Sequence, residues 1–352
     1  MSLSLDTLSI AVALGELLEG ADLAQGSYAR AGLPGGTFSR CAMAGVDLRE
    51  ADLRECVFDA CDLRGALLGG AQLRKAVFNR CRMDHADLRG ANLHGTVWAE
   101  CQADHAQLGQ SQLSMATLSK TRLDHAVLRG ADLDAATLTE VSLLDVAADD
   151  VHWRQTVLAQ CRLDHLSWAG ARMLRTVFVD TSLAGMNFAG LSLDGCQFLG
   201  ADLSRSDFTE AALGRCNFQK ARLDGARFAR VQGVHALFCE AEGAQIDFGG
   251  AHLRQSLFTG ARLPAARFAG ADLYQAHFAG AQLPGADLRN ADLSYADLRH
   301  ADLNCADLRG ARLMRTVLHG AQTQDAAIPG RAQALDTDAA LAQAEQWQPQ
   351  AG

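Results

Sequence analysis

The sequence predicts an all-β solenoid, a parallel four-sided β-helix of about 15 coils of 20 residues between short terminal caps. Two observations carry this expectation. Large apolar residues recur every five positions, at 23, 28, 33 and onward to 318, without an insertion anywhere in the 60 units. Positions 20 apart also agree in kind. Phe38, Phe58, Phe78 and Trp98 form one series, which resumes at Phe178, Phe198, Phe218, Phe238, Phe258 and Phe278. Phe188, Phe208, Phe228, Phe248 and Phe268 form a second series two units away.

A period of five suits neither regular element: it would wander round a helix and alternate faces on a strand. A chain that turns a corner every five residues accounts for it. Four corners close a coil of 20, coils stack at the inter-strand spacing of ~4.8 Å, and 15 of them make a rod of roughly 70 Å. The large centre residues then point to the axis. Only Ala103, Ala148, Gly233 and Gly243 fail to supply a large side chain there.

Along the chain, residues 1–20 read as a helical cap over 6–19 with Asp6 as N-cap and Gly20 as the stop. Residues 21–320 are the repeat. Two positions before each centre sits a small residue that must also face inward. Eight of the ten cysteines (Cys41, Cys56, Cys61, Cys81, Cys101, Cys161, Cys196, Cys216) occupy that position and read as reduced, buried small hydrophobes. Residues 321–352 form a C-terminal cap or tail: the register ends at Thr323, Pro329-Gly330 turns, and Ala334 to Trp347 has helical composition. That tail could cap the last coil, join a second subunit as a homodimer through the C-terminal end, or stay disordered, and Trp347 favours docking.

Composition narrows the function. The net charge is −9, of which the first 20 and last 32 residues carry −3 each, so the repeat region is nearly neutral. Its four sides sum to −4, −1, +3 and −1. Duplex DNA places a charge every ~1.7 Å, so a duplex mimic of this length would need tens of negative charges. The apolar run Ile10–Leu14 lacks the basic flank of a signal segment and is too short to span a bilayer, so a cytoplasmic location is expected. There is no Walker loop, GxSxG, HExxH or CxxC pair, and a filled bore leaves no cleft for a catalytic set.

The run Ala286–Gly310 reads ADLRN ADLSY ADLRH ADLNC ADLRG, and such A(D/N)LXX units over residues 21–320 closely resemble the pentapeptide-repeat family. The resemblance implies a right-handed quadrilateral β-helix, a bacterial protein, no enzymatic activity and no cofactor. It also implies the roles known in the family: DNA-like inhibitors or protectors of DNA gyrase, and proteins that accompany secretion systems. The expected function is a non-enzymatic rigid protein-interaction scaffold or adaptor. The alternative is a DNA-mimicking topoisomerase inhibitor or quinolone-protection protein. A protein partner is expected, with no nucleic acid, membrane or small-molecule substrate.

Three outward features are candidate sites. Val57, Val77, Val97, Thr117, Thr137, Val157 and Val177 each precede a centre on one side, a β-branched stripe that either stabilises the ladder or docks a partner. Asp84-His85, Asp104-His105, Asp124-His125 and Asp164-His165 recur along one edge, either copied corners or a metal- or pH-responsive ladder. The many Asp residues before a centre are answered by Arg after it, as in Asp287/Arg289, and read as solvated pairs. Gly69-Gly70 and Gly249-Gly250 read as corner residues needing unusual φ rather than ligand loops.

Overall fold

The computed structural model describes residues 3–345. It is a parallel β-solenoid that divides into two compact units, residues 1–182 and 183–352. No helix among the described residues is long and apolar enough to cross a membrane.

The first unit opens with helix α1 (Leu5–Ala13), which buries Leu8, Ala11 and Val12. Its cap is Ser4, whose Oγ accepts the Thr7 N–H at 3.2 Å, so Asp6 lies in the first turn instead of capping it. The helix also stops well short of Gly20. Gly15 takes φ +72°, and Leu17–Glu19 are already strand β1, paired in parallel with β2 (Thr37–Ser39). The physical reason is register. Leu18 lies five residues before the first counted centre, so ladder pairing and burial of its side chain win over further helix.

Strands β3 (Val57–Asp59), β4 (Val77–Asn79), β5 (Val97–Ala99), β6 (Thr117–Ser119), β7 (Thr137–Thr139), β8 (Val157–Ala159) and β9 (Val177–Val179) follow in sequence order in one nine-stranded sheet. Each strand pairs with the residue 20 further on, as in Phe38↔Phe58 and Val77↔Val97. The other three sides of this unit pair by the same step through single bridges, such as Asp22↔Ala42, Ser27↔Asp47 and Gly32↔Asp52. Four sides and a step of 20 define the square coil. On the bridge sides the chain turns back after each centre, as where the Val46 N–H donates to the Met43 carbonyl at 3.2 Å. The sheet side instead stays extended for three residues, in keeping with its Val and Thr content.

The second unit repeats the scheme with bridges from Asn187↔Asp207 to Asp307↔Ala327. Its interior holds the two Phe series. Phe208 and Phe228 stack at 4.8 Å, as do Phe218 and Phe238, while Phe218 meets Phe228 edge-on at 5.4 Å and 87°. Offset stacking within a column and edge contact between columns is the arrangement that ring quadrupoles favour. In both units the centre side chains are buried.

The C-terminal boundary differs from the sequence expectation. Pairing does not end at Thr323: Gln322 and Ala327 still bridge to Asp302 and Asp307. After the Pro329-Gly330 turn and a 3₁₀ turn at Arg331–Gln333, Leu335 bridges to Val317, accepting the Leu318 N–H at 2.8 Å and donating to the Thr316 carbonyl at 2.7 Å. Helix α2 therefore begins only at Ala339 and runs to Glu345. Asp338 caps it, its Oδ1 accepting the N–H groups of Ala340 and Leu341 at 2.9 and 3.1 Å. Trp347 lies outside the described residues.

Candidate functional site

The β-branched stripe lies on the nine-stranded sheet of the first unit. Val57, Val77, Val97, Thr117, Thr137, Val157 and Val177 are consecutive ladder partners on β3 to β9. Their alternation with buried centres turns them outward. Val97, at 39% exposure, and Thr117 are exposed; the other five are half-buried by their stacked neighbours. The stripe has a companion column that the sequence reading missed, two residues on: Ala99, Ser119, Thr139, Ala159 and Val179. The signal was available as period-two alternation, but a pattern counted in fives does not display it. On β2 to β4 the same column is polar, with Asp59 accepting from Asn79 Nδ2 at 2.6 Å and from Arg80 Nη2 at 2.8 Å. From β5 to β9 both outward columns are free of charge.

The Asp/His edge has a different geometry from a metal ladder. His85, His105 and His125 are exposed and stack face to face, with ring centroids 4.9 Å apart at both steps. Among the described residues these Asp and His side chains do not bring three ligand atoms together as a metal site would need. The aspartates have structural partners. Asp84 Oδ1 accepts the Asp104 N–H at 3.3 Å, Asp104 Oδ1 accepts the Asp124 N–H at 3.2 Å, and Asp124 Oδ1 accepts the Leu144 N–H at 3.1 Å. Asp104 also receives Arg122 Nε at 2.6 Å. His165 follows Asp164 at another left-handed corner, with φ +61°.

The Asp/Arg pairs are local clamps. Asp47 accepts Arg49 Nε and Nη2 at 2.9 and 2.7 Å and the Arg49 backbone N–H at 3.2 Å. The same arrangement recurs at Asp52/Arg54, Asp62/Arg64, Asp87/Arg89, Asp287/Arg289, Asp297/Arg299 and Asp307/Arg309. Arg309 holds the Asp307 carboxyl down to about 2. At these seven positions Asp is thus a turn-forming acceptor whose charge is answered by the Arg two residues on.

The inward thiols do more than fill space. Cys41, Cys61, Cys81 and Cys101 donate to the carbonyls of Leu18, Phe38, Phe58 and Phe78 in the preceding coil, at 3.1 to 3.4 Å. Burial pushes the Cys56 thiol up to about 12 and the Cys161 thiol up to about 11. Of the glycine pairs, only Gly70 and Gly250 take positive φ, at +68° and +62°.

One further cluster emerges only on folding. Glu345 at the end of α2 reaches His300 Nε2 at 3.3 Å and the buried His319 Nε2 at 3.2 Å, all three atoms lying within 4.8 Å of one another. The hydrogen bond His319 holds to Glu345 lowers that carboxyl's pKa. A cation is the obvious alternative occupant, but His319 Nδ1 accepts the Asp338 N–H at 3.1 Å. The ring proton therefore sits on Nε2, the atom a metal would need, and the usual Nδ1–H donor of a metal-bound histidine is replaced by an acceptor. The cluster is a clasp that fastens α2.

Two family models match the sequence: a pentapeptide repeat region at residues 51–128, and pentapeptide repeats (8 copies) at 171–209, 183–219, 244–280 and 291–322. Together they cover more than half of the chain, which belongs to the pentapeptide-repeat family. No curated protein matches it. Among solved structures, QnrB1, a plasmid-mediated fluoroquinolone resistance protein, is 20% identical over 51% of this chain and 90% of that one, with a TM-score of 0.43. HetL, involved in heterocyst differentiation regulation in the cyanobacterium Nostoc sp. strain PCC 7120, is 22% identical over 96% and 98%, with a TM-score of 0.27. A pentapeptide repeat protein from the Arabidopsis thaliana thylakoid lumen is 26% identical over 37% and 62%, with a TM-score of 0.14.

Proposed function

We propose that this chain is a non-enzymatic bacterial cytoplasmic scaffold that binds protein through the outward face of the β1–β9 sheet. The observation that carries the reading is the uncharged pair of columns on β5 to β9, Val97/Ala99 through Val177/Val179. Several other outward positions of the first unit carry charges that pair along the chain or between coils, as in Asp47/Arg49 and Arg30/Glu50, while in the second unit the same two columns stay uncharged from Gln197/Leu199 to His277/Ala279. A contiguous neutral surface with a β-branched first column is suited to docking a partner. The seven Asp/Arg clamps also speak against duplex mimicry, since an aspartate neutralised by its neighbour contributes no phosphate-like charge.

The test is substitution on the face. Val77→Asp and Val97→Asp, both at outward positions, should leave the thermal transition within a few degrees of wild type while removing the bound protein from affinity-purified samples. Unchanged binding in both variants sinks the reading. A DNA supercoiling assay separates the alternative: inhibition or drug protection of gyrase at sub-micromolar protein would favour the topoisomerase-directed role.

A further inference from the structure

The docking face has a two-fold logic of its own. On each strand from β5 to β9 the first outward column and the second form a pair: Val97 with Ala99, Thr117 with Ser119, Thr137 with Thr139, Val157 with Ala159, Val177 with Val179. A second copy laid face to face, related by a two-fold axis parallel to the ladder, keeps each strand opposite its own equivalent and reverses the strand direction. The first column then meets the second column of the partner. Hydroxyl faces hydroxyl on β6 and β7, and Val faces Ala or Val on β5, β8 and β9. Large against small across facing positions is how interlocking surfaces fill without strain.

The corners obey the same symmetry. On one flank stand Gly95, Met115, Ala135, Gln155 and Arg175, and on the other Glu100, Lys120, Glu140, Gln160 and Asp180. The axis sets the two flanks against each other, so Arg175 meets Asp180 twice and Gln155 meets Gln160 twice, with no like charges opposed over these five strands. Arg175 and Asp180 are both exposed, and among the described residues neither makes an ion pair within the chain. The reversed alignment, with β5 over β9, would set Glu100 against Asp180 and Glu140 against itself, and would place Thr117 on Val157.

We infer that this face joins two copies of the chain about a two-fold axis along the ladder, Arg175 of each pairing with Asp180 of the other. The inference rests on the reading of the sheet as a docking surface and names its occupant. The five matched strands at ~4.8 Å give a contact strip roughly 24 Å long, which ends at β4, where the same axis opposes Lys75 and Arg80. A strip of this length is smaller than a standard specific interface. A dimer that dissociates on dilution is expected.

Sedimentation velocity on the full chain over a range of concentrations tests this, with cross-linking to fix the alignment. In a Cys305→Ser background, Thr137→Cys and Thr139→Cys proteins should form an intermolecular disulfide when mixed and oxidised, and neither should do so alone. Asp180→Arg should weaken the dimer on the order of tenfold through like charges at the corner, and adding Arg175→Asp should restore it. A disulfide from Thr137→Cys alone marks the reversed alignment and overturns the inference, as does failure of the double charge reversal to restore association. A chain that stays monomeric but loses a protein partner with Val97→Asp overturns self-association and leaves the scaffold reading intact. If it stays monomeric and Val97→Asp changes nothing, both are wrong.

Discussion

Single side chains in this protein are set by their place in a five-residue unit, and the cysteines show how far that place controls chemistry. A thiol two positions before a centre faces inward; that of Cys56 donates to the Leu33 carbonyl of the coil before and loses its tendency to ionise as burial withdraws water from the thiolate. Cys305 is at a corner and exposed, and Cys239 is partly so. Titration with a thiol reagent at pH 8 should therefore find Cys305 fast and Cys239 slow, with the eight inward thiols appearing only on unfolding. Early modification of three or more cysteines in the folded protein would contradict this assignment. The sequence placed these thiols inside correctly, but their hydrogen bonds were not legible, because donor and acceptor lie 23 residues apart and meet only through the closed coil.

At the scale of the element, the coil keeps its interior volume even while individual centres vary. Where a centre shrinks to Ala at 103 and 148, an adjacent centre is Trp98 or Trp153, both fully buried. Gly243 is fixed for the complementary reason: a Cβ there would sit 2.6 Å from the Leu223 carbonyl carbon. Trp98→Leu should cost about 2–4 kcal/mol through the cavity it leaves, and Ala103→Leu alone about 1–3 kcal/mol through overpacking. Combined, the two should cost less than their sum, which denaturant melts of the four proteins will measure. Additive losses would mean that the two positions do not share volume. The exceptions at 103 and 148 were visible in the sequence as missing large residues, yet their compensation required knowing that neighbouring centres share one bore.

For the whole molecule, the repeated clamps set the response to acid. Arg49, Arg54, Arg64, Arg89 and Arg289 lower the pKa of Asp47, Asp52, Asp62, Asp87 and Asp287 by direct hydrogen bonds, and Asp307 falls to about 2. Each such carboxylate has a folded pKa below the ordinary ~3.9. Its contribution is complete above that value and is lost as pH falls through the folded pKa. The thermal midpoint should therefore hold from neutral pH to about 4 and decline between about 4 and 2, less steeply in high salt because the pairs are exposed. A midpoint that falls already between pH 7 and 5 would point to groups other than these clamps.

The period of five by itself determined the square coil, the inward centres and the stacking of residues 20 apart, because a strict register across 60 units leaves one way to bury every large side chain. It also determined the near-neutral surface, since Asp and Arg two residues apart on one turn can hardly avoid meeting. Tertiary structure alone decided the ends and the face. Helix α1 yields to β1 because Leu18 finds Phe38 in the next coil, and α2 starts late because Leu335 pairs with Val317. His300, His319 and Glu345 become one clasp although 45 residues separate the first from the last. The second neutral column beside the Val/Thr stripe follows the same rule: whether two outward rows form one surface depends on the strands between them staying extended, which three-dimensional pairing decides and a linear period does not record.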